Sequence, residues 1–141
     1  DVTVQAQIME LLEELRAESN MAMILITHDL GVVADVADNI AVMYAGRVVE
    51  RGPVSEVLAR PGHAYTLALL NSVPRANSLG QDLKPIIGSP PDLARIPKGC
   101  AFHPRCRFAT DLCRNEEPPS VAVTQGRIAE CHHVEAVFND S

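Results

Sequence analysis

The sequence predicts an α/β fold: half of a doubly layered domain, followed by a small irregular module that holds the cysteines. Three observations carry this expectation. Up to Val73, apolar runs with helical period alternate with short strand-like runs. Beyond that point Pro74, Pro85, Pro90, Pro91 and Pro97, with Gly80, Gly88 and Gly99, interrupt every periodic pattern. All four cysteines of the chain lie after this stretch. The expected organisation is therefore 1–73 for the α/β part, 74–99 for a proline-rich linker, and 100–141 for the cysteine module.

The elements follow in order. In "DVTVQAQIMELLEELRAES", Val4, Ile8, Leu11, Leu12 and Leu15 form an apolar stripe flanked by glutamates, which predicts an amphipathic helix. Asp1 or Thr3 would cap it, without completing a capping box. A chain that enters a helix at once reads either as a tightly built small domain or as a fragment. "MAMILIT" is short, apolar and without alternation, as an interior parallel strand is. Leu30, Val33, Ala34 and Ala37 then predict a short helix. "IAVMYAGRVVERG" predicts two strands around Ala45-Gly46, with Gly46 supplying a positive φ. Pro53 suits a first helical position before "VSEVLAR", and "GHAYTLALLNSV" predicts a helix that stops before Pro74. Ile86-Ile87 are unusual for a linker and predict local packing.

Composition narrows the function classes. Hydrophobic residues make up 47% and charged residues 21%, as in ordinary globular proteins. Aromatic residues are 4%, with no Trp, and the net charge is -6 without a basic run, so neither stacking platforms nor a nucleic-acid footprint is expected. No apolar run approaches the roughly 18 residues of a membrane span. The first residues lack the pattern of a signal peptide. A cytoplasmic location is the default.

"LITHDLG" is the most informative stretch. An apolar strand ending in three polar residues places His28 beyond a carboxyl end, where α/β sheets bind ligands. The plainer reading pairs His28 with a nearby backbone group. Four cysteines spaced C-x5-C-x6-C-x17-C, at Cys100, Cys106, Cys113 and Cys131, form the second candidate site. Disulfides would suit a secreted chain, but secretory features are absent. In a reducing compartment, zinc, an iron–sulfur cluster and no bound metal all stay open. The missing C-x2-C pair argues against a standard zinc ribbon. His103, His132 and His133 are alternate ligands. Arg105, Arg107 and Arg114 either offset thiolate charge or form a solvated rim. Phe102 and Phe108 are expected to pack a small core.

At "LITHDLGVVADVADNIAVMYAGRVVERGP" the chain resembles the late catalytic half of an ATP-binding-cassette (ABC) ATPase. "PGHAYTLALLNSVP" and "IIGSPPDLARIPKGCAFHPRCRFATDLC" resemble, more narrowly, the C-terminal region of oligopeptide or dipeptide importer ATPases. Ala64 stands where that group usually has proline, which touches only the start of a helix. The resemblance implies the C-terminal portion of a P-loop ABC ATPase domain of three-layer type, incomplete here, followed by the four-cysteine module. It implies that His28 contacts the terminal phosphate of ATP and arranges the attacking water. Asp1 matches the aspartate of the loop that crosses the ATP-sandwich dimer. Asp29 is expected to be structural.

Other implications concern cofactors and partners. ATP and Mg2+ would serve the complete subunit, although no G-x-x-x-x-G-K-[ST] occurs in this sequence, so the chain alone is expected to be inactive. Related importers include ones with a [4Fe-4S] cluster in this region, which ranks that cluster first and zinc second. Transmembrane permease subunits, a second ATPase subunit and, indirectly, a solute-binding protein would be the partners, at the cytoplasmic face of the membrane. The expected function is ATP-driven peptide import, with nickel and other small solutes left open. The alternative is a metal-binding interaction or regulatory module without ATPase activity.

Overall fold

The computed structural model describes residues 2–73 and 85–141. The chain divides into two compact units, Asp1–Val36 and Ala37–Ser141.

In the first unit, helix α1 spans Val2–Ser19. It ends where Asn20 adopts a φ of 48° and the Met21 N–H donates to the Arg16 carbonyl at 3.3 Å, the pattern of a Schellman stop. The apolar stripe of Val4, Ile8, Leu11 and Leu15 is exposed. Met21 to Thr27 does not form the expected strand. Ile24 and Ile26 are 91% and 94% exposed. The physical reason is that an extended backbone cannot satisfy its own N–H and C=O groups. An interior strand exists only through neighbours, and none pairs with this segment among the described residues. Helix α2, Leu30–Val36, follows. Asp29 caps it, its carboxylate accepting from the N–H groups of Gly31 at 2.9 Å and Val32 at 3.3 Å.

The second unit is built on one antiparallel sheet of order β1-β2-β4-β3. Strands β1 (Asn39–Tyr44) and β2 (Arg47–Pro53) form the expected hairpin. Its turn has positive φ at both Ala45 and Gly46, 50° and 79°, as a tight two-residue turn requires. The register pairs Val42 with Glu50 but Met43 with Val48, so Val49 is an extra residue. This bulge breaks alternation and lets Val49 and Glu50 both be buried. Helices α3 (Val54–Ala59) and α4 (Ala64–Ser72) come next. α4 ends at an extended Val73, as a residue before proline prefers.

The tail is more regular than its sequence suggests. A single 3₁₀ turn at His103–Arg105 and helix α5 (Asp111–Asn115) carry the first three cysteines or their neighbours. Strands β3 (Ser120–Thr124) and β4 (Arg127–Glu130) form a second hairpin, and helix α6 covers Val134–Phe138. β4 pairs with β2 through Glu50↔Ala129 and Arg51↔Ile128, so residues far apart in sequence share the sheet. The core gathers Val42, Tyr44, Val49, Leu67, Phe102 and Val137, with Phe108 and Ile86 packed against it. Tyr44, Tyr65 and Phe102 pack mutually in tilted and edge-to-face contacts, with centroids 4.6–5.3 Å apart.

Candidate metal centre and its frame

All four cysteines are free thiols and line one small pocket together with Phe102, Phe108 and several histidines. Cys100 and Cys113 are joined by backbone, the Cys100 N–H donating to the Cys113 carbonyl at 2.8 Å. That approach requires Gly99: its φ is 75°, and a Cβ there would collide with the Cys113 and Arg114 carbonyls. The 3₁₀ turn then brings Cys106 back, its N–H donating to the His103 carbonyl. Cys131 enters from the end of β4, and the His133 N–H donates to its sulfur at 3.4 Å.

Burial pushes the Cys106 thiol up to about 11, against the Phe108 N–H that lowers it, and Cys131, Cys100 and Cys113 raise it further. Burial likewise raises Cys100 and Cys131, each opposed by backbone N–H groups aimed at its sulfur and each raised again by neighbouring cysteines. Cys100, Cys106 and Cys131 thus have backbone donors aimed at their sulfurs, while burial above all, and neighbouring cysteines less, keeps protons on them. A bound cation would reverse that balance. As folded here the pocket is a tight knot with a cavity of about 10 Å³, the room of one water. Among the described residues, no group of three or more His, Cys, Asp or Glu side chains stands in single-ion geometry.

A buried ion pair holds the frame. Glu50 is fully buried, and Arg127 of β4 is nearly so. The Arg127 guanidinium donates to Glu50 Oε1 at 2.9 Å, to the Glu56 carbonyl at 3.2 Å, and to the Arg60 carbonyl. The Glu50 carboxylate also accepts from the N–H groups of Gly62 at 2.7 Å and His63 at 3.0 Å. His63 in turn caps α4, its Nδ1 accepting from the Tyr65 N–H at 3.0 Å. Its ring also borders the cysteine pocket. Sequence reasoning missed Glu50, His63 and Arg127. A charged residue beside Val48-Val49 in a strand was the available signal, but only the bulge explains why it turns inward.

The other candidates are placed as follows. His28 is exposed and follows the unpaired segment Met21–Thr27. Asp29 is structural, as expected. Asp1 lies outside the described residues. His103 and His132 each donate a ring N–H to a backbone carbonyl, of Cys100 and Glu116, and His133 pairs with the Thr110 hydroxyl. The three arginines are engaged elsewhere. Arg105 reaches the Ile86 and Ile87 carbonyls and the Tyr44 hydroxyl, Arg107 pairs with Asp140, and Arg114 pairs with Asp111. Ile86 is thereby held against the core while Ile87 stays exposed.

Residues 49–113 match the family described as the oligopeptide/dipeptide transporter, C-terminal region. The chain is 53% identical over 131 residues to the oligopeptide transport ATP-binding protein OppD of Salmonella typhimurium, covering 93% of this chain and 39% of that protein. It is 46% identical over 139 residues to OppD of Haemophilus influenzae, covering 99% of this chain and 43% of the relative. The dipeptide transport ATP-binding protein DppD of Escherichia coli is 47% identical over 133 residues, 94% of this chain and 41% of its own. The resemblance read from the sequence is thus shown: this chain is a relative of the C-terminal part of oligopeptide/dipeptide ABC transporter ATP-binding subunits. It spans about two fifths of the length of these relatives. Among the described residues, no helix is long and apolar enough to cross a membrane.

Proposed function

We propose that this chain is the C-terminal part of an ATP-hydrolysing nucleotide-binding subunit that powers peptide import across a membrane. One observation carries the reading: similarity to peptide-transport ATP-binding proteins runs through 93–99% of the chain at 46–53% identity. The alternative of a free-standing metal-binding module draws nothing from these relatives. In the complete subunit the P-loop and its lysine lie outside this chain, in a three-layer ABC ATPase domain whose sheet would take up Met21–Thr27. The open aliphatics of that segment and of α1 support this. ATP and Mg2+ are the cofactors. Permease subunits, a second ATPase subunit and, indirectly, a solute-binding protein are the partners, at the cytoplasmic face.

Within that reading His28 donates a hydrogen bond to the terminal phosphate, and Asp1 positions the partner subunit. The support for His28 is its place after the apolar segment, with Asp29 beside it fixing the start of α2. Cys100, Cys106, Cys113 and Cys131 would hold a [4Fe-4S] cluster, with zinc as the alternative. Four soft ligands in one pocket, with N–H groups aimed at the sulfurs, fit either. The 10 Å³ knot means that the loop would have to open around the group. Bound there, the group would tie the loop 100–113 to the end of β4 and add folding energy.

The test uses the complete subunit with its permease partners in proteoliposomes. Peptide-dependent ATP hydrolysis is expected. His28→Ala should lower kcat by about 100-fold with nucleotide affinity nearly unchanged. Weakened affinity with unchanged kcat would remove His28 from the reaction, and hydrolysis that no peptide stimulates would overturn the transport reading.

A further inference from the structure

A second cavity, of about 530 Å³, shares His63, Cys100 and Phe102 with the cysteine pocket. Its size falls within the range of small-molecule sites. Tyr44, Val49, Ile96 and Phe102 give it an apolar wall. Four charged side chains share the lining: Arg47, Lys98, Glu117 and Glu130. Arg47 stands between the two carboxylates, 2.8 Å from Glu117 and 3.5 Å from Glu130. One guanidinium between two carboxylates leaves a net negative charge. Lys98 is exposed and makes no ion pair among the described residues. The cavity therefore lines an apolar wall with a carboxylate pair in excess of its guanidinium and with an ammonium group unpaired among the described residues, which is the complement of a zwitterion with an aliphatic side chain.

We propose that this cavity binds a small zwitterion of the amino-acid or short-peptide class. Its ammonium group faces Glu117 and Glu130, its carboxylate faces Lys98, and its side chain lies against Tyr44 and Phe102. Because Cys100 and Phe102 belong to both walls, an occupant would also brace the cysteine pocket. The inference goes beyond the transport reading, and direct binding to this chain tests it without ATP, permease or transport.

Calorimetric titration of the 141-residue chain with the free dipeptide Ala-Leu, and with its N-acetylated, C-amidated form, decides the matter. Saturable binding of the free dipeptide with a Kd of about 1 mM or tighter is expected, and at least about ten-fold weaker binding of the capped form. Lys98→Gln and Glu117→Gln should each weaken the free dipeptide by about five-fold or more and leave the capped form unaffected. Both positions are exposed, and circular dichroism checks that each variant is folded, so either variant suffices. Failure of the free dipeptide to saturate would overturn the proposal. So would equal affinity for the capped form, which means apolar adsorption only, or wild-type affinity in both variants. None of these outcomes touches the ATPase reading, which stands or falls on hydrolysis.

Discussion

Gly99 and Gly46 look alike in sequence, and their surroundings separate them. Both have positive φ, 75° and 79°. At Gly46 an added Cβ meets nothing within 4 Å, whereas at Gly99 it would sit 2.9 Å from the Arg114 carbonyl carbon, with the Cys113 oxygen nearer still. Left-handed strain alone should make Gly46→Ala cost about 1 kcal/mol. Gly99→Ala adds a backbone collision and should cost about 3 kcal/mol or more. Urea denaturation of the two variants compares them directly, and equal losses would contradict the close approach at Cys113. His63 gives the pH prediction at the same scale. Burial lowers its pKa from 6.5 to about 4. Between these values the unfolded chain binds a proton that the folded chain excludes, so stability rises with pH across that window. The contribution is complete above about pH 6.5 and is lost as pH falls toward 4, a change of about 3 kcal/mol. His63→Asn keeps a capping acceptor and should flatten this window in the metal-free chain. The same acid sensitivity in both proteins would assign it elsewhere.

At the scale of elements, the union of β2 with β4 rests on a charge pair rather than on a long ladder. Only two residue pairs register between these strands. Glu50 and Arg127, 3% exposed or less, join them at 2.9 Å. Removing one partner leaves the other buried without its counter-charge. Glu50→Met and Arg127→Met should each cost about 3–5 kcal/mol. The double variant should cost clearly less than the sum, because an apolar pair carries no stranded charge. Thermal or urea unfolding of all four proteins closes the cycle. Strict additivity would mean that the two residues act independently.

At the largest scale, the cysteine pocket brings the segment 100–113 up to the end of β4. Anaerobically purified chain should carry four iron and four sulfide, and acid or chelator should release them together with the packing of 100–113 against β4. Cys131→Ser should lose the cluster and far more stability than the ~0.5 kcal/mol of an exposed substitution. Iron and sulfide analysis with parallel unfolding curves reads both. One zinc without sulfide would replace the cluster by the alternative metal. Undiminished iron and sulfide in the serine variant would remove Cys131 from the ligand set.

Local chemistry determined much of this protein. Ala45-Gly46 between two apolar runs specifies a hairpin, and Pro53 and Pro74 mark in the sequence where α3 begins and where α4 must have ended, because each depends on atoms within a few residues. The spacing of the four cysteines likewise pointed to one shared site, and all four line one pocket. The tertiary structure alone decided the rest. Glu50 meets Arg127 across 77 residues, and no periodicity records such a partner. The β3–β4 hairpin joins β2 through backbone bonds to which side-chain pattern is nearly blind. Arg105, Arg107 and Arg114, which sit among the cysteines in sequence, turn to carbonyls and carboxylates instead. Met21–Thr27 marks the opposite limit: its residues are those of an interior strand, but a strand is a relation between segments, and the pairing partner must be present for it to form.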